Sequence, residues 1–374
     1  MKELVTYWQK DYDWSKHEAH INSFPHFKTK IKGRTEELDV HFVHMRSKVE
    51  SATPLVMIHG WPGSFLECLS VASRLVSPEA HGGDATQDAF HFVCPSLPGY
   101  GYSDRPTKPG MDQKAAAELV IALMARLGYS KYIVQGGDWG SIVAALVASN
   151  DPDHCGGLHL NFVGTSSIPF MGKGIKASLH AMAAAAMPRF MLDEWDQRRF
   201  MKTPKTLRET GYYHLQATKP QTVAYALHDS PLGLAAYIVE KFNSWGDTNG
   251  TVESRFSKDE LLTSIMVYWL TESMGSSMRF YYEFHDTGLF WEALQNNYVS
   301  VPTAYADFAF EEINTPKPFL QYFYNIDLER HHARFDRGGH FAATEEPELF
   351  VQHVRTFARD IASGWPAQGI KQEL

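Results

Sequence analysis

The chain has 374 residues, 44% hydrophobic, 13% aromatic and 21% charged, enough to bury a large core and still carry a second domain or lid. A formal net charge of -8 and a pI near 6.1 argue against nucleic acid as a partner, since no basic block is present to neutralise phosphates. Three cysteines (Cys68, Cys94, Cys155) are odd in number and show no framework spacing, the N-terminus has no apolar core of signal-peptide length, and no run approaches membrane-spanning length, so the expectation is a soluble, cytoplasmic protein in a reducing compartment.

Residues 1–50 read as an irregular leader, with Leu4, Trp8 and Tyr12 spaced for a few helical turns. His17 and His20 stand at i, i+3, not the i, i+4 of a helical zinc motif, so no metal is expected there. Residues 38–44 alternate and predict a strand, preceded by a short run at 34–37 that would lengthen a surface hairpin. Residues 54–59 and 90–95 are short continuous apolar runs, as in strands covered on both faces. Residues 113–127 carry Ala116, Leu119, Val120, Leu123 and Leu127 at helical spacing, and Gly128 is a natural stop. A strand at 131–136, a helix after it and a further strand at 158–163 continue the alternation. Strands alternating with helices predict an α/β fold with a mostly parallel sheet flanked by helices. From 166 to 299 strand-like runs largely vanish, and helical patterns at 177–187, 234–242 and 261–270 predict an inserted helical cap. The sheet resumes at Val301, with a rival strand at 321–326, and a last helix begins near Pro347 with Phe350, Val354, Phe357 and Ile361 on one face. The expected division is a leader (1–50), a first core part (51–165), the cap (166–299) and a second core part (300–374).

The chemistry centres on Gly136-Gly-Asp138-Trp-Gly140, between the strand at 131–136 and the helix after it. Its Gly-x-nucleophile-x-Gly spacing is that of the nucleophile elbow of α/β-hydrolases, with aspartate where serine usually stands. In that fold the partners follow in the order nucleophile, acid, histidine. His340, after two glycines and before the last helix, is the expected base. The acid must end a strand and hold the imidazole. Asp307, Glu311, Glu312, Asp327, Glu329 and Asp336 lie in the right interval, with Glu311 and Asp327 nearly even. His59-Gly-Trp61-Pro-Gly predicts an oxyanion hole from the backbone N–H groups of Trp61 and Trp139, each such donor worth about 10²–10³ in rate. A carboxylate nucleophile suits attack on a saturated carbon, giving an ester that histidine-activated water then cleaves. Epoxides and haloalkanes both fit. An epoxide oxygen leaves as a strong base and benefits from phenol donors, and the cap offers Tyr212, Tyr213, Tyr225, Tyr237, Tyr268, Tyr281 and Tyr282.

With these residues in view, the chain closely resembles the microsomal-type epoxide hydrolases, the branch that includes the juvenile hormone hydrolases. The resemblance runs through Tyr12-Asp-Trp-Ser, Phe24-Pro-His-Phe-Lys-Thr, His59-Gly-Trp-Pro-Gly-Ser and Pro95-Ser-Leu-Pro-Gly-Tyr-Gly. It continues through Gln135-Gly-Gly-Asp-Trp-Gly-Ser, Asp229-Ser-Pro-Leu-Gly-Leu-Ala-Ala-Tyr and Arg337-Gly-Gly-His-Phe-Ala-Ala. It implies Asp138 as nucleophile, His340 as base, Glu311 as the acid, and Tyr212 and Tyr281 as the two epoxide-polarising phenols, with Tyr213 and Tyr282 one place away. It further implies a cofactor-free, metal-free enzyme acting on a small-molecule epoxide and water, with a homodimer as the assembly to test. Membrane-bound members carry an N-terminal anchor. This chain begins inside the leader, which favours a soluble form. The rival readings are a haloalkane dehalogenase, which the Asp-Trp-Gly piece alone also resembles, and a non-catalytic ligand receptor on the same fold.

Overall fold

Continuous apolar runs become the buried middle of one sheet. The computed structural model describes residues 1–164, 174–200, 208–288, 298–313 and 315–364. Their strands are β1 (His26–Lys32), β2 (Glu37–Met45), β3 (Thr53–Ile58), β4 (Phe90–Pro95), β5 (Tyr132–Gly136), β6 (Cys155–Leu160), β7 (Val299–Phe308), β8 (Tyr324–Ile326) and β9 (His332–Phe335). The order is β1-β2-β4-β3-β5-β6-β7-β8, with β9 paired to β7. β1–β2 and β2–β4 are antiparallel, and every other pair is parallel. Because side chains alternate along a strand, Val56 and Ile58 of β3 enter one core and Leu55 and Met57 the other. The first core also takes the Gln113–Arg126 and Asp138–Asn150 helices and the cap. The second takes the Phe65–Val76 and Pro347–Ala362 helices. Each fully buried Phe or Leu there contributes about 1.5–3 kcal/mol.

The leader is more ordered than its sequence suggests. It forms the helices Lys2–Lys10 and Trp14–Ile21, then β1 at the sheet edge. β1 hides from a sequence reading because Lys28, Lys30 and Lys32 occupy one face, the polar blunting expected of an edge strand. The run at 34–37 lies at the β1–β2 turn, as expected of a hairpin. The leader docks onto the cap helix Lys258–Leu270: Tyr7 Oη donates to Asp259 at 2.8 Å, and Tyr12 Oη lies 3.1 Å from Thr263 Oγ1. His17 stacks on Tyr12 with ring centroids 5.0 Å apart and faces Asp259 at 3.5 Å.

Other boundaries shift for local reasons. β6 ends at Leu160 because the next residue, Asn161, turns to accept a bond from the Gln135 amide. The rival strand at 321–326 is a 3₁₀ turn over Lys317–Tyr322 followed by the three residues of β8. The helix expected at 261–270 starts three residues earlier, because Ser257 and Glu260 form a capping box. Between β6 and β7 the described residues contain helices and no strand, including Gly174–Ala186, Gly211–Thr218, Pro220–Asp229, Pro231–Trp245 and Met274–Asp286. The expected start of the cap at 166 lies outside the described residues.

The cysteine reading is corrected. Cys68 and Cys94 form a disulfide across 26 positions, because the Phe65–Val76 helix lies over β4, while Cys155 is free and buried. Sequence spacing carries no trace of that packing. Among the described residues no helix is long and apolar enough to cross a membrane.

Candidate active site

The site is built on the turn from β5 into the Asp138–Asn150 helix. Asp138 adopts φ +48°, a left-handed backbone that costs a side-chain-bearing residue about 1–3 kcal/mol. The turn is possible only because its neighbours lack side chains. A Cβ on Gly136 would overlap the Gly140 carbonyl, and a Cβ on Gly140 would overlap the Ile58 carbonyl at the end of β3. The carbonyl walls are backbone and cannot swing aside. Gly140→Ala is therefore expected to destabilise the fold by about 1–3 kcal/mol or more, read as a lowered thermal midpoint. An unchanged midpoint would refute this account of the turn. A Cβ on Gly60 would likewise strike the Asp138 carboxylate, so the loop after β3 approaches the nucleophile as bare backbone.

That approach delivers a donor. The Trp61 backbone N–H gives a hydrogen bond to Asp138 Oδ1 at 2.7 Å. The other oxygen, Oδ2, faces His340 Nε2 at 3.4 Å. On its far side, His340 Nδ1 lies 2.9 and 3.1 Å from the two carboxylate oxygens of Glu311. Glu311 is 3% exposed and His340 8%. Both are pinned through backbone: Arg199 donates to the Glu311 carbonyl at 2.8 Å, and the His340 N–H donates to the Trp245 carbonyl at 3.0 Å. Burial works against a charged His340, but the carboxylates of Glu311 and Asp138 outweigh it and hold the imidazole well above its ordinary value.

Three of the other acids are engaged elsewhere. Asp307 is fully buried with Arg199, the Trp195 indole N–H and His332. Asp327 accepts from the backbone N–H groups of Glu329 and Arg330, and Glu329 pairs with Lys317. Of the two leading candidates, the structure brings Glu311 to His340 and leaves Asp327 in a turn.

Above the nucleophile the tyrosines sort themselves by partner. Tyr212 stacks on Trp61, with ring centroids 5.4 Å apart and planes within 8°. Tyr281 stands edge-on to Trp139 at 4.7 Å and 6.1 Å from the Tyr212 ring. The Tyr281 side chain is 1% exposed, and its hydroxyl meets no partner at good hydrogen-bonding geometry among the described residues, although the Tyr212 phenol and the Trp139 indole stand next to it. Burial, with Asp138 adding to it, raises both phenols well above their ordinary value, so both keep their protons to donate. The neighbouring positions are committed: Tyr213 Oη lies 2.8 Å from His285 Nε2, and Tyr282 Oη donates to Asp286 at 3.3 Å. Tyr268 donates to the Gly63 carbonyl, Tyr237 to Gln216, and Tyr225 is 71% exposed.

Sequence reasoning missed several residues around Asp138. His59 accepts from the Leu97 N–H at 3.2 Å and bonds the Gly60 carbonyl at 3.0 Å, tying the loops after β3 and β4 together. Burial pushes its imidazole down to about 4, so it is a neutral tie. Glu67, Gln135 and Asn161 line one small space with Asp138 and His340. Glu67 falls just past the Gly-Ser that closes the His59 motif, and nothing in its local pattern marks it.

Comparison with known proteins bears on the family and the fold. A family model described as epoxide hydrolase N terminus matches residues 1–68, and one described as alpha/beta hydrolase fold matches residues 53–267. The chain is similar to epoxide hydrolase 1 of Sus scrofa, 40% identical over 371 residues that cover 96% of this chain and 79% of that protein. It is 36% identical to juvenile hormone epoxide hydrolase 2 of Ctenocephalides felis, covering 95% of this chain and 75% of that protein. Among solved structures it is similar to juvenile hormone epoxide hydrolase from the silkworm Bombyx mori, with TM-score 0.85 and 34% identity over 97% of this chain and 84% of that one. The Aspergillus niger epoxide hydrolase matches with TM-score 0.79 and 29% identity, over 96% and 84% of the two chains.

Proposed function

The chain belongs to the epoxide hydrolase family of the α/β-hydrolase fold, and from that membership we propose that it opens an oxirane to a vicinal diol through a covalent ester on Asp138. The observation that carries the proposal is the file Glu311–His340–Asp138, with the Trp61 N–H on one carboxylate oxygen and a buried phenol without a well-placed partner above. In this reading Asp138 Oδ1 stays in the hole and Oδ2 attacks the less hindered ring carbon. The carbon–oxygen bond breaks as Tyr212 and Tyr281 donate to the leaving oxygen. His340, oriented by Glu311, then takes a proton from water, whose oxygen bonds to the ester carbon. The negative charge gathers on Oδ1, opposite the Trp61 N–H and the Trp139 N–H next in the chain. Collapse breaks the bond from the ester carbon to the alkyl oxygen, which takes the proton from His340, and the second water proton, left on the Asp138 acid, replaces the one the phenols gave to the epoxide oxygen, so the diol leaves and the carboxylate returns.

A single turnover in heavy-oxygen water tests the scheme. The label is expected in the Asp138 peptide, with little in the first diol. Label going straight into the diol would sink the covalent mechanism. A panel of small aromatic, terpenoid and long-chain epoxides then sorts the substrate class. The proposed reaction needs no cofactor or metal. Cytoplasmic residence belongs to the proposal too, although the Cys68–Cys94 bond weighs against a reducing compartment. So does a homodimer, which sedimentation velocity reads directly.

A further inference from the structure

Beside the nucleophile, between the ends of β3 and β5 and the first turn of the Phe65–Val76 helix, lies a small space. Its walls include Glu67, Gln135, Asp138, Asn161 and His340, and no cap tyrosine lines it. It leaves about 10 Å³ for the centre of a water molecule, room for one water, which needs two to four polar partners to be held. Those partners are present. Gln135 is 1% exposed, its amide nitrogen donates to Asn161 Oδ1 at 2.7 Å, and its Oε1 has no hydrogen-bond partner among the described residues. A buried acceptor left unmet is unusual in a folded protein and points to a ligand.

Resting on the epoxide hydrolase reading above, we propose that this space holds the water that cleaves the ester, and that Glu67 and Gln135 aim it at Cγ of Asp138. The water gives one hydrogen to His340 Nε2 and the other to Gln135 Oε1. It accepts from Glu67, and its remaining lone pair faces Cγ. As the oxygen–Cγ bond forms, the proton moves to His340 and the carbonyl electron pair moves to Oδ1, against the Trp61 N–H. Collapse re-forms that carbonyl and breaks the bond from Cγ to the alkyl oxygen, which takes the proton from His340 as the diol leaves, and the hydrogen still on the new Asp138 oxygen returns to the phenol that protonated the epoxide oxygen. Water arriving from the cap side would have to pass the bound alkyl group, whereas water held beside the carboxylate is in place before substrate enters.

Glu67 has the character this role asks for. It is the third residue of its helix, where the free amides of the first turn favour a carboxylate. Burial overrides that preference and the pull of His340, and with Asp138 and Glu345 pushing the same way the carboxyl is raised to about 8. At neutral pH it carries a proton and donates.

Separate measurement of ester formation and ester decay tests the proposal, by quenched-flow mass spectrometry of the intact protein with styrene oxide as probe. In Glu67→Leu, ester formation is expected to stay within about twofold of wild type while decay slows about 100-fold, so that the alkylated protein accumulates. Glu67→Gln still donates through its amide and should lose less than tenfold in decay. Gln135→Leu, which removes the unmet acceptor, should lose about tenfold in decay and keeps the test alive if Glu67→Leu does not fold. Formation and decay falling together in these variants would mark a merely structural role and overturn the proposal, as would unchanged decay in Gln135→Leu. Failure of the underlying reading looks different: wild type and His340→Gln would then form no ester with any epoxide, and both proposals would fall.

Discussion

His340→Gln protein mixed with an epoxide is expected to gain the mass of one substrate molecule and keep it. Attack by Asp138 Oδ2 needs the carboxylate and a phenol donor above the ring, and neither depends on the imidazole. Ester cleavage needs a base beside Cγ, and Nε2 is the atom 3.4 Å from Oδ2. General-base assistance is worth about 10²–10⁴ in rate, so kcat should fall by at least that factor while a burst of one equivalent survives. Glutamine can still bond Glu311, which keeps the loop in place. Intact turnover with no adduct would remove His340 from its role. The geometry also fixes the sign of the pH dependence. With Asp138 free, Glu311 and Asp138 together outweigh burial and hold the imidazole charged. Once Asp138 is an ester its negative charge is gone, while burial still disfavours the cation, so the imidazole falls toward neutrality when a base is required. Ester decay should therefore slow as pH drops through the His340 value of the alkylated enzyme. Decay rates after a single alkylation, measured across pH, give that limb directly, and a limb running the other way would contradict the assignment.

The parts of the fold and site legible in the sequence are those fixed by local pattern. Gly136, Gly140 and the apolar run before them determine a strand, a sharp turn and a helix between Tyr132 and Asn150, and backbone contact between Gly140 and Ile58 leaves little freedom. What stayed hidden depends on rotation or on distant packing. Tyr212 and Tyr213 share a helix but point about 100° apart, so the sequence locates the helix and not the phenol that faces the nucleophile. Glu311 and Asp327 both follow strands, so local pattern leaves them level; the family resemblance favours Glu311, and the return of the chain 29 residues later places His340 against it. Cys68 and Cys94 meet because a helix lies over a strand, and β1 disguises itself with lysines because it is an edge. Glu67 belongs to no motif and matters only because the space beside Asp138 is lined from three elements at once.

Tyr281→Phe is expected to make the protein more stable and a worse enzyme. Its hydroxyl is buried without a well-placed partner, so removing it relieves a desolvated polar group that costs about 1–3 kcal/mol, and the thermal midpoint should rise. The same hydroxyl is the proposed donor to the epoxide oxygen, which develops charge as the ring opens. A hydrogen bond to a charged partner is worth about 1.5–3 kcal/mol, so ester formation should slow by about 10–100-fold. Tyr212→Phe should slow it similarly, and the double variant should lose most epoxide activity. Tyr213→Phe provides the opposite sign. Its hydroxyl already bonds His285, so the change should cost stability, by about 1 kcal/mol, and leave ester formation within a few fold. The two readouts together separate donor from scaffold. A phenol that only packs would lose stability or leave it unchanged without touching the chemical step, whereas a phenol reserved for a leaving oxygen is a burden until substrate arrives. If Tyr281→Phe and Tyr212→Phe form ester at wild-type rates with epoxides, the phenols are not the donors. Release of halide from bromoalkanes at comparable rates would then favour the dehalogenase, whose leaving group needs no proton.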